Sequence, residues 1–88
     1  MRSNIRTYFY KNGQLRIKGN YLDNRKDGFW EFFSLDGSRK KTETWKDGKK
    51  DGIWELFNKN GDLIFTETWR DDEKIDDAKH YPSGYPSN

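Results

Sequence analysis

Apolar and polar residues alternate along most of the chain, in short runs rich in aromatic and β-branched side chains. In residues 63–70, for example, Leu63, Phe65 and Trp69 would share one face of a strand. A period of two with these residue types predicts β-strands rather than helices. The pattern predicts six strands, at residues 5–10, 15–22, 29–34, 39–46, 53–58 and 63–70.

Short turn sequences separate the predicted strands in pairs. Asn12-Gly13, Asp36-Gly37 and Asn60-Gly61 are hairpin signals, because these residue types tolerate a positive φ. The segments between hairpins, DNRKDG at 23–28 and DGKKDG at 47–52, are predicted loops. The six strands therefore form a β-meander of three hairpins.

The hairpins repeat in sequence. RKDGFWEFF at 25–33 recurs as KKDGIWELF at 49–57, 24 positions later. The predicted fold class is therefore all-β, a single-layer twisted antiparallel β-meander of three 24-residue hairpin repeats, with units at about 1–24, 25–48 and 49–72. We assign structural roles to four repeated residues. Gly28 and Gly52 hold a backbone shape or a close approach that a Cβ would block, and Trp30 and Trp54 pack against neighbouring units.

The repeat loses its register after the third unit. The corresponding segment reads DDEKID at 71–76 and has Asp76 where the earlier units have glycine. Repeat arrays carry atypical ends that shield the last unit. We therefore predict a repeat domain over 1–75 and a C-terminal cap or flexible tail over 76–88, with a short helical or irregular segment at Asp76–His80.

Composition limits the kind of core and the kind of function. The hydrophobic fraction is 31%, yet 17% of the residues are aromatic and the net charge is +2. Few large rings must supply the buried surface, and nucleic acid is not expected on charge alone. With no cysteine, no signal segment and no apolar run long enough to span a membrane, the expected location is the cytoplasm.

Residues suited to catalysis or metal binding are scarce. His80 is the single histidine, and the aligned glutamates Glu31/Glu55 and Glu43/Glu67 could act as acid–base pairs but fit solvated positions of a repeating sheet better. The Asp-rich loops lack the ligand spacing of a calcium site and carry basic residues. We expect no enzyme activity, no metal and no cofactor.

Aromatic residues are the best candidates for binding, because a sheet of one layer cannot bury all of its rings. Exposed rings and unpaired strand edges are typical binding features. The candidate partner-binding residues are Tyr21, Trp45, Trp69, Arg39 and Lys41. Open edges also allow a homo-oligomer to form.

The most basic stretch of the chain offers an alternative site. Anionic phospholipid at a membrane surface would be bound by Arg39, Lys40, Lys41, Lys49 and Lys50.

The segments Tyr21–Trp30, Trp45–Trp54 and, in part, Trp69–Lys74 resemble the MORN-repeat variant, which in bacteria is typical of the YwqK-family antitoxins. The resemblance implies an extended sheet of hairpins that serves as a protein-binding scaffold, with a toxin as one class of partner and phosphoinositide binding proposed for some members. The middle unit departs from the pattern, since Arg39 and Lys41 stand where the other units are apolar. We therefore expect a non-enzymatic module for protein–protein interaction, of the antitoxin or immunity type.

Overall fold

The computed structural model describes residues 2–81, and over this range the chain forms β-strands joined by tight turns. The strands are β1 (Ser3–Phe9), β2 (Leu15–Leu22), β3 (Arg25–Lys26), β4 (Gly28–Phe33), β5 (Arg39–Lys46), β6 (Lys49–Lys50), β7 (Gly52–Phe57), β8 (Leu63–Arg70) and β9 (Glu73–Lys79).

All strands belong to one antiparallel sheet, in the order β1-β2-β4-β5-β7-β8-β9. The short strands β3 and β6 pair with β2 and β5 and lead directly into β4 and β7. The described part of the protein measures 48 × 37 × 12 Å. Because two packed sheets alone stand about 10 Å apart before their outer side chains are added, an extent of 12 Å corresponds to one layer. The predicted fold class is confirmed.

The turns at one end of the sheet are the predicted Asn-Gly and Asp-Gly turns. Gly13, Gly37 and Gly61 have φ values of +89°, +92° and +84°, a region that favours glycine. The Asn12 side chain accepts a hydrogen bond from the Gln14 backbone N–H at 2.9 Å, and the Asp36 side chain accepts one from Ser38 in the same way. Side chain and glycine together fix each turn.

The turns at the other end are tighter than predicted. Instead of six-residue loops at 23–28 and 47–52, two-residue turns at Asp23-Asn24 and Asp47-Gly48 lead at once into β3 and β6. Both residues of each turn have positive φ, which matches the right-handed twist of the flanking strands. The loop prediction was wrong because a two-residue strand is too short to show a period of two.

Neighbouring two-residue turns are joined by the aspartates of the repeated Lys-Asp-Gly sequence. The Asp27 carboxylate accepts a hydrogen bond from the backbone N–H of Asp47 at 3.0 Å, and Asp51 accepts one from Asp71 at 3.4 Å. The Asp47 side chain also pairs with Arg25 at 3.1 Å. Each Asp-Gly therefore connects its own unit to the next turn along the sheet.

We expect Asp27→Ala to lower the free energy of unfolding by about 1 kcal/mol, because the Asp47 N–H loses its acceptor. A urea unfolding midpoint measures the loss, and hydrogen exchange should show faster exchange of the Asp47 amide. Asp62→Ala is the matched control, since within residues 2–81 the Asp62 carboxylate makes no hydrogen bond or ion pair. Equal midpoints for the two variants would contradict this role of Asp27.

The chain after Arg70 continues the sheet. The predicted helical or irregular segment at Asp76–His80 is wrong for Asp76–Lys79, which lie in β9. The division into a repeat domain at 1–75 and a tail at 76–88 stays a prediction; β9 crosses that boundary, and residues 82–88 lie outside the described residues.

Strand β9 differs from β4 and β7 by one residue of register. In the middle unit, between the pairs Trp45↔Lys50 and Thr42↔Glu55, the segment from β6 to β7 has two more residues than β5, and these form a bulge. Between the pairs Trp69↔Lys74 and Thr68↔Asp76, β9 has only one extra residue. As a result Asp77 pairs with Glu67, in the row where earlier units place a tryptophan. The third repeat, which has Asp76 in place of the glycine, therefore has a bulge that is one residue shorter. A polar residue, Asp77, takes the place of the tryptophan in the last strand.

The core is small. Among residues 2–81, Trp30 is the buried apolar side chain, with 2% of its surface exposed. Its ring lies flat over Gly19 of β2, so close that a Cβ built on Gly19 would be 2.0 Å from the ring. Gly28 and Gly52 have φ values of +83° and +94° and open β4 and β7. On the opposite face of β5, the buried Thr42 donates a hydrogen bond to Glu55 at 2.9 Å.

Candidate partner-binding face

One face of the sheet collects the tryptophans. Residues paired across antiparallel strands point to the same side, and the pairs Tyr21↔Lys26, Trp45↔Lys50 and Trp69↔Lys74 therefore share a face. Ring contacts add Trp30 and Trp54 to the same face. We call this surface the aromatic face and define it by Tyr21, Lys26, Trp30, Trp45, Lys50, Trp54 and Trp69.

The rings of the aromatic face form a nearly continuous row. Tyr21 meets Trp30 edge-on, with ring centroids 5.1 Å apart. Trp45 lies 5.2 Å from Trp54, and Trp54 lies 6.0 Å from Trp69, both with tilted rings. All three separations fall within the range at which aromatic pairs attract each other.

Two lysines lie between the rings. The Lys26 ammonium is 4.8 Å from the ring centroids of both Trp30 and Trp45. The Lys50 ammonium is 4.9 Å from Trp54 and 4.2 Å from Trp69. These are cation–π distances, so the two lysines help to order the rings. Within residues 2–81 neither lysine pairs with a carboxylate.

Hydrogen bonds fix the indole rings in two alternating ways. Trp30 and Trp54 donate their Nε1–H to the backbone carbonyls of Asn20 and Thr44, at 3.1 and 2.8 Å. Trp45 and Trp69 instead donate to the glutamates two residues before them, Glu43 and Glu67, at 2.8 and 3.0 Å. Because all four rings are held in place, binding a partner would cost them little conformational entropy.

Lysine side chains form ion pairs with the glutamates that hold Trp45 and Trp69. Glu43, 5% exposed, also pairs with Lys41 at 3.2 Å. Lys74 pairs with Asp77 at 2.9 Å, and this hydrogen bond and charge raise the pKa of Lys74 above its ordinary value. Lys74 therefore differs from its repeat equivalents Lys26 and Lys50, since acidic side chains already neutralise its charge.

The predicted partner-binding residues divide between the two faces. Tyr21, Trp45 and Trp69 lie together on the aromatic face, and Lys41 lies beside them over the Phe32 ring at 4.6 Å. Arg39 pairs with Glu31 at 3.2 Å. Because Glu31 and Phe32 are consecutive in a strand, they point to opposite faces, and Arg39 lies on the face away from the tryptophans.

The predicted lipid-binding residues also fail to form one patch. Lys49 pairs with Asp71 at 3.8 Å, whereas its neighbour Lys50 lies on the aromatic face between two rings. Arg39 and Lys41 are paired with glutamates on opposite sides of the sheet. Lys40 is exposed on β5. A flat membrane surface could therefore contact only part of this set at one time.

Sequence analysis overlooked Lys26 as a member of the site. The signal was present, because lysine recurs at 26, 50 and 74, and at the first two positions it precedes the repeated Asp-Gly. From the sequence, Lys50 received only the alternative lipid-binding role and Lys26 received none, since no sequence rule distinguishes a lysine beside a turn from one placed between two indoles.

The groups considered for catalysis have structural partners. Glu31 pairs with Arg39, Glu55 accepts a hydrogen bond from Thr42, and the His80 ring contacts Thr66 at 3.1 Å. Glu31 and Glu55 belong to strands separated by β5. Within residues 2–81, no group of three or more His, Asp and Glu side chains is placed to hold a metal ion. The same residues include no helix with the length and hydropathy needed to cross a membrane.

The fold and the aromatic face define an open β-repeat protein with one preformed row of rings. The family model of the MORN repeat variant matches residues 2–23 and 50–71, which are the first and third units and together make up half of the sequence. The chain therefore belongs to the MORN repeat variant family. MORN repeats are commonly protein- or membrane-interaction modules and are typically not enzymes. No curated protein and no solved structure matches the chain.

Proposed function

We propose that this protein binds an acidic protein partner through the aromatic face. The observation that carries the proposal is the pair of ammonium groups of Lys26 and Lys50, which rest on indole rings and pair with no carboxylate within residues 2–81. Their strands lie on either side of β5, so the two lysines extend from backbones about 9.5 Å apart. Carboxylates of a partner would complete both sites.

The rings supply the apolar part of the interface. Trp45, Trp54 and Trp69 are half-buried, so each keeps some surface for contact. Tryptophan is enriched among residues whose loss weakens binding most, and ordered rings lose little entropy when a partner binds. Charge from the lysines then adds specificity for an acidic surface.

A toxin is the partner class that we propose, in an antitoxin or immunity-type pair located in the cytoplasm. This part of the proposal is supported by the resemblance of the segments Tyr21–Trp30 and Trp45–Trp54 to the YwqK-family antitoxins. Anionic phospholipid is the alternative ligand. It has weaker support, because the five basic residues first suggested for it are divided between two faces and partly neutralised.

We expect Lys26→Gln together with Lys50→Gln to abolish capture of the partner or to weaken it at least tenfold. The tagged chain is passed over lysate of its source organism, the captured protein is identified, and its purified form is titrated by calorimetry at two salt concentrations. The physical reason is the loss of both positive charges that face the partner, so the affinity of the unmodified chain should also fall as salt rises.

Lys18→Gln together with Lys46→Gln is the matched control. It removes the same charge from exposed strand positions whose register places them on the opposite face. Equal affinity for both double variants would contradict binding through the aromatic face. Co-sedimentation with phosphatidylserine vesicles tests the alternative; binding to vesicles that is lost in the Lys26/Lys50 variant, without capture of any protein, would replace the protein partner by a membrane.

A further inference from the structure

The two outer strands of the sheet differ in how they are protected. Strand β1 pairs with β2 alone among the described strands, and all of its residues are exposed, yet Ser3–Phe9 contains one charged residue, Arg6. At the other edge, five of the seven residues of β9 are charged: Glu73, Lys74, Asp76, Asp77 and Lys79. Charges on an edge strand prevent it from pairing with another strand, so β9 is protected and β1 is open.

The apolar residues of β1 are also unusually accessible. Ile5 is 70% exposed and Phe9 is 58% exposed, and both lie on the face opposite the tryptophans. Each is apolar surface at the edge where a further strand could cover it.

We propose that β1 pairs antiparallel with β1 of a second copy of this chain, about a two-fold axis at Thr7. In this register Ile5 stands opposite Phe9 of the second copy, and the same contact occurs twice. Arg6 stands opposite Tyr8 of the second copy, where its guanidinium can lie on the ring. The pairing joins the two sheets into one continuous sheet.

Other registers satisfy these side chains less well. Paired residues must share a face, so the axis has to pass through a residue of the strand. An axis at Arg6 sets two like charges against each other, which is destabilising. An axis at Ile5 leaves Phe9 opposite residue 1 and outside the strand. A two-fold axis at Thr7 places the two large apolar residues of this face, Ile5 and Phe9, opposite each other.

A second copy fits this edge better than head-to-tail stacking on β9. The seven strands along the sheet alternate in direction, so β1 and β9 run the same way. Translating one copy along the sheet would join them in parallel and oppose apolar residues to the charges of β9. A two-fold axis gives the antiparallel arrangement and closes the assembly at a dimer.

The dimer uses a different surface from the proposed partner site, so either proposal can fail alone. Light scattering after size exclusion should give a mass that rises with concentration towards twice the 10.6 kDa of one chain. Because the contact is one strand wide and smaller than a standard interface, we expect dissociation at low micromolar concentration.

Single cysteines test the register, since the chain has none of its own. Under mild oxidation Thr7→Cys should form a disulfide-linked dimer readily, because opposite Cα atoms in an antiparallel pair are about 4.5–5.5 Å apart. Ile5→Cys should not, since its two copies would lie about 13 Å apart. A mixture of Ile5→Cys and Phe9→Cys should cross-link to the mixed dimer.

Lysine substitutions test the edge itself. Ile5→Lys should give a monomer at all concentrations, whereas Ile75→Lys in β9 should leave the dimer unchanged; thermal unfolding confirms that both variants are folded. A wild-type chain that is monomeric at 100-fold above the expected dissociation constant, or Thr7→Cys that cross-links no faster than Ile5→Cys, would overturn the proposal.

Discussion

Replacing Gly19 by alanine should destabilise this protein by about 3 kcal/mol, although the change adds a single methyl group. The added Cβ would be 2.0 Å from the Trp30 ring, closer than any side chain tolerates. Trp30 supplies the buried apolar core of the described residues, so a ring that is pushed out of its place loses most of its packing. Thermal unfolding followed by circular dichroism measures the loss, and tryptophan emission should shift to longer wavelength.

Two further variants separate this collision from backbone effects. Gly28→Ala is the control for strain, because Gly28 has φ +83° and nothing lies within 4 Å of the added Cβ; we expect a cost of about 1 kcal/mol. The second is a double-mutant cycle with Trp30→Ala. If the ring causes the penalty, Gly19→Ala should cost little once the ring is gone. An undiminished cost in that background would show that Gly19 acts in another way.

The repeat and the alternation were sufficient to predict a one-layer antiparallel sheet and six of its strands. Both are properties of single residues at fixed spacing, and a one-layer meander with local connections needs little else. Strand β9 was missed for a physical reason. The replacement of the glycine of Lys-Asp-Gly by Asp76 was interpreted as the end of the array. In the structure, the bulge at this point is one residue shorter and the sheet continues.

The site was predicted only in part, again because the sequence does not show where the register of the strands shifts. That Tyr21, Trp45 and Trp69 would be equivalent follows from their spacing of 24 residues, and they do share a face. Which face Arg39 would occupy does not follow from spacing, because its register partner Phe33 comes after a bulge in the pairing of β4 with β5. A shift of one residue reverses the face of a side chain, and sequence alone does not locate such bulges.

Gly19 received no role from the sequence, because roles were given only to the glycines of the turns and of the repeated Lys-Asp-Gly. Gly19 lies within β2 and is aligned with Glu43 and Glu67 of the other units. The first unit therefore covers its glycine with a ring, whereas the second and third place a carboxylate at the same position to bind an indole. The same position of the repeat thus packs against a ring in the first unit, and it orients a ring through a hydrogen bond in the other two.

Because of this difference, we expect Glu43→Ala to lower the free energy of unfolding by about 2 kcal/mol. Glu43 is 5% exposed and binds both the Trp45 Nε1–H, at 2.8 Å, and the Lys41 ammonium, at 3.2 Å. Removing it leaves the Trp45 Nε1–H without its acceptor near the middle of the sheet, and it removes the ion pair of Lys41. Part of the ion-pair contribution is discounted, because the Lys41 side chain is 40% exposed and screened by solvent.

The repeat provides a matched control for this prediction. Glu67 makes the equivalent bonds to Trp69 and Lys74, at 3.0 and 3.9 Å, but its side chain is 28% exposed. We therefore expect Glu67→Ala to cost about half as much as Glu43→Ala, and Glu43→Gln to cost least, because its amide oxygen can still accept from Trp45. Urea unfolding of the three variants gives the comparison. Equal losses for Glu43→Ala and Glu67→Ala would mean that burial adds nothing at this position, and that the indole bond alone accounts for the effect of each glutamate.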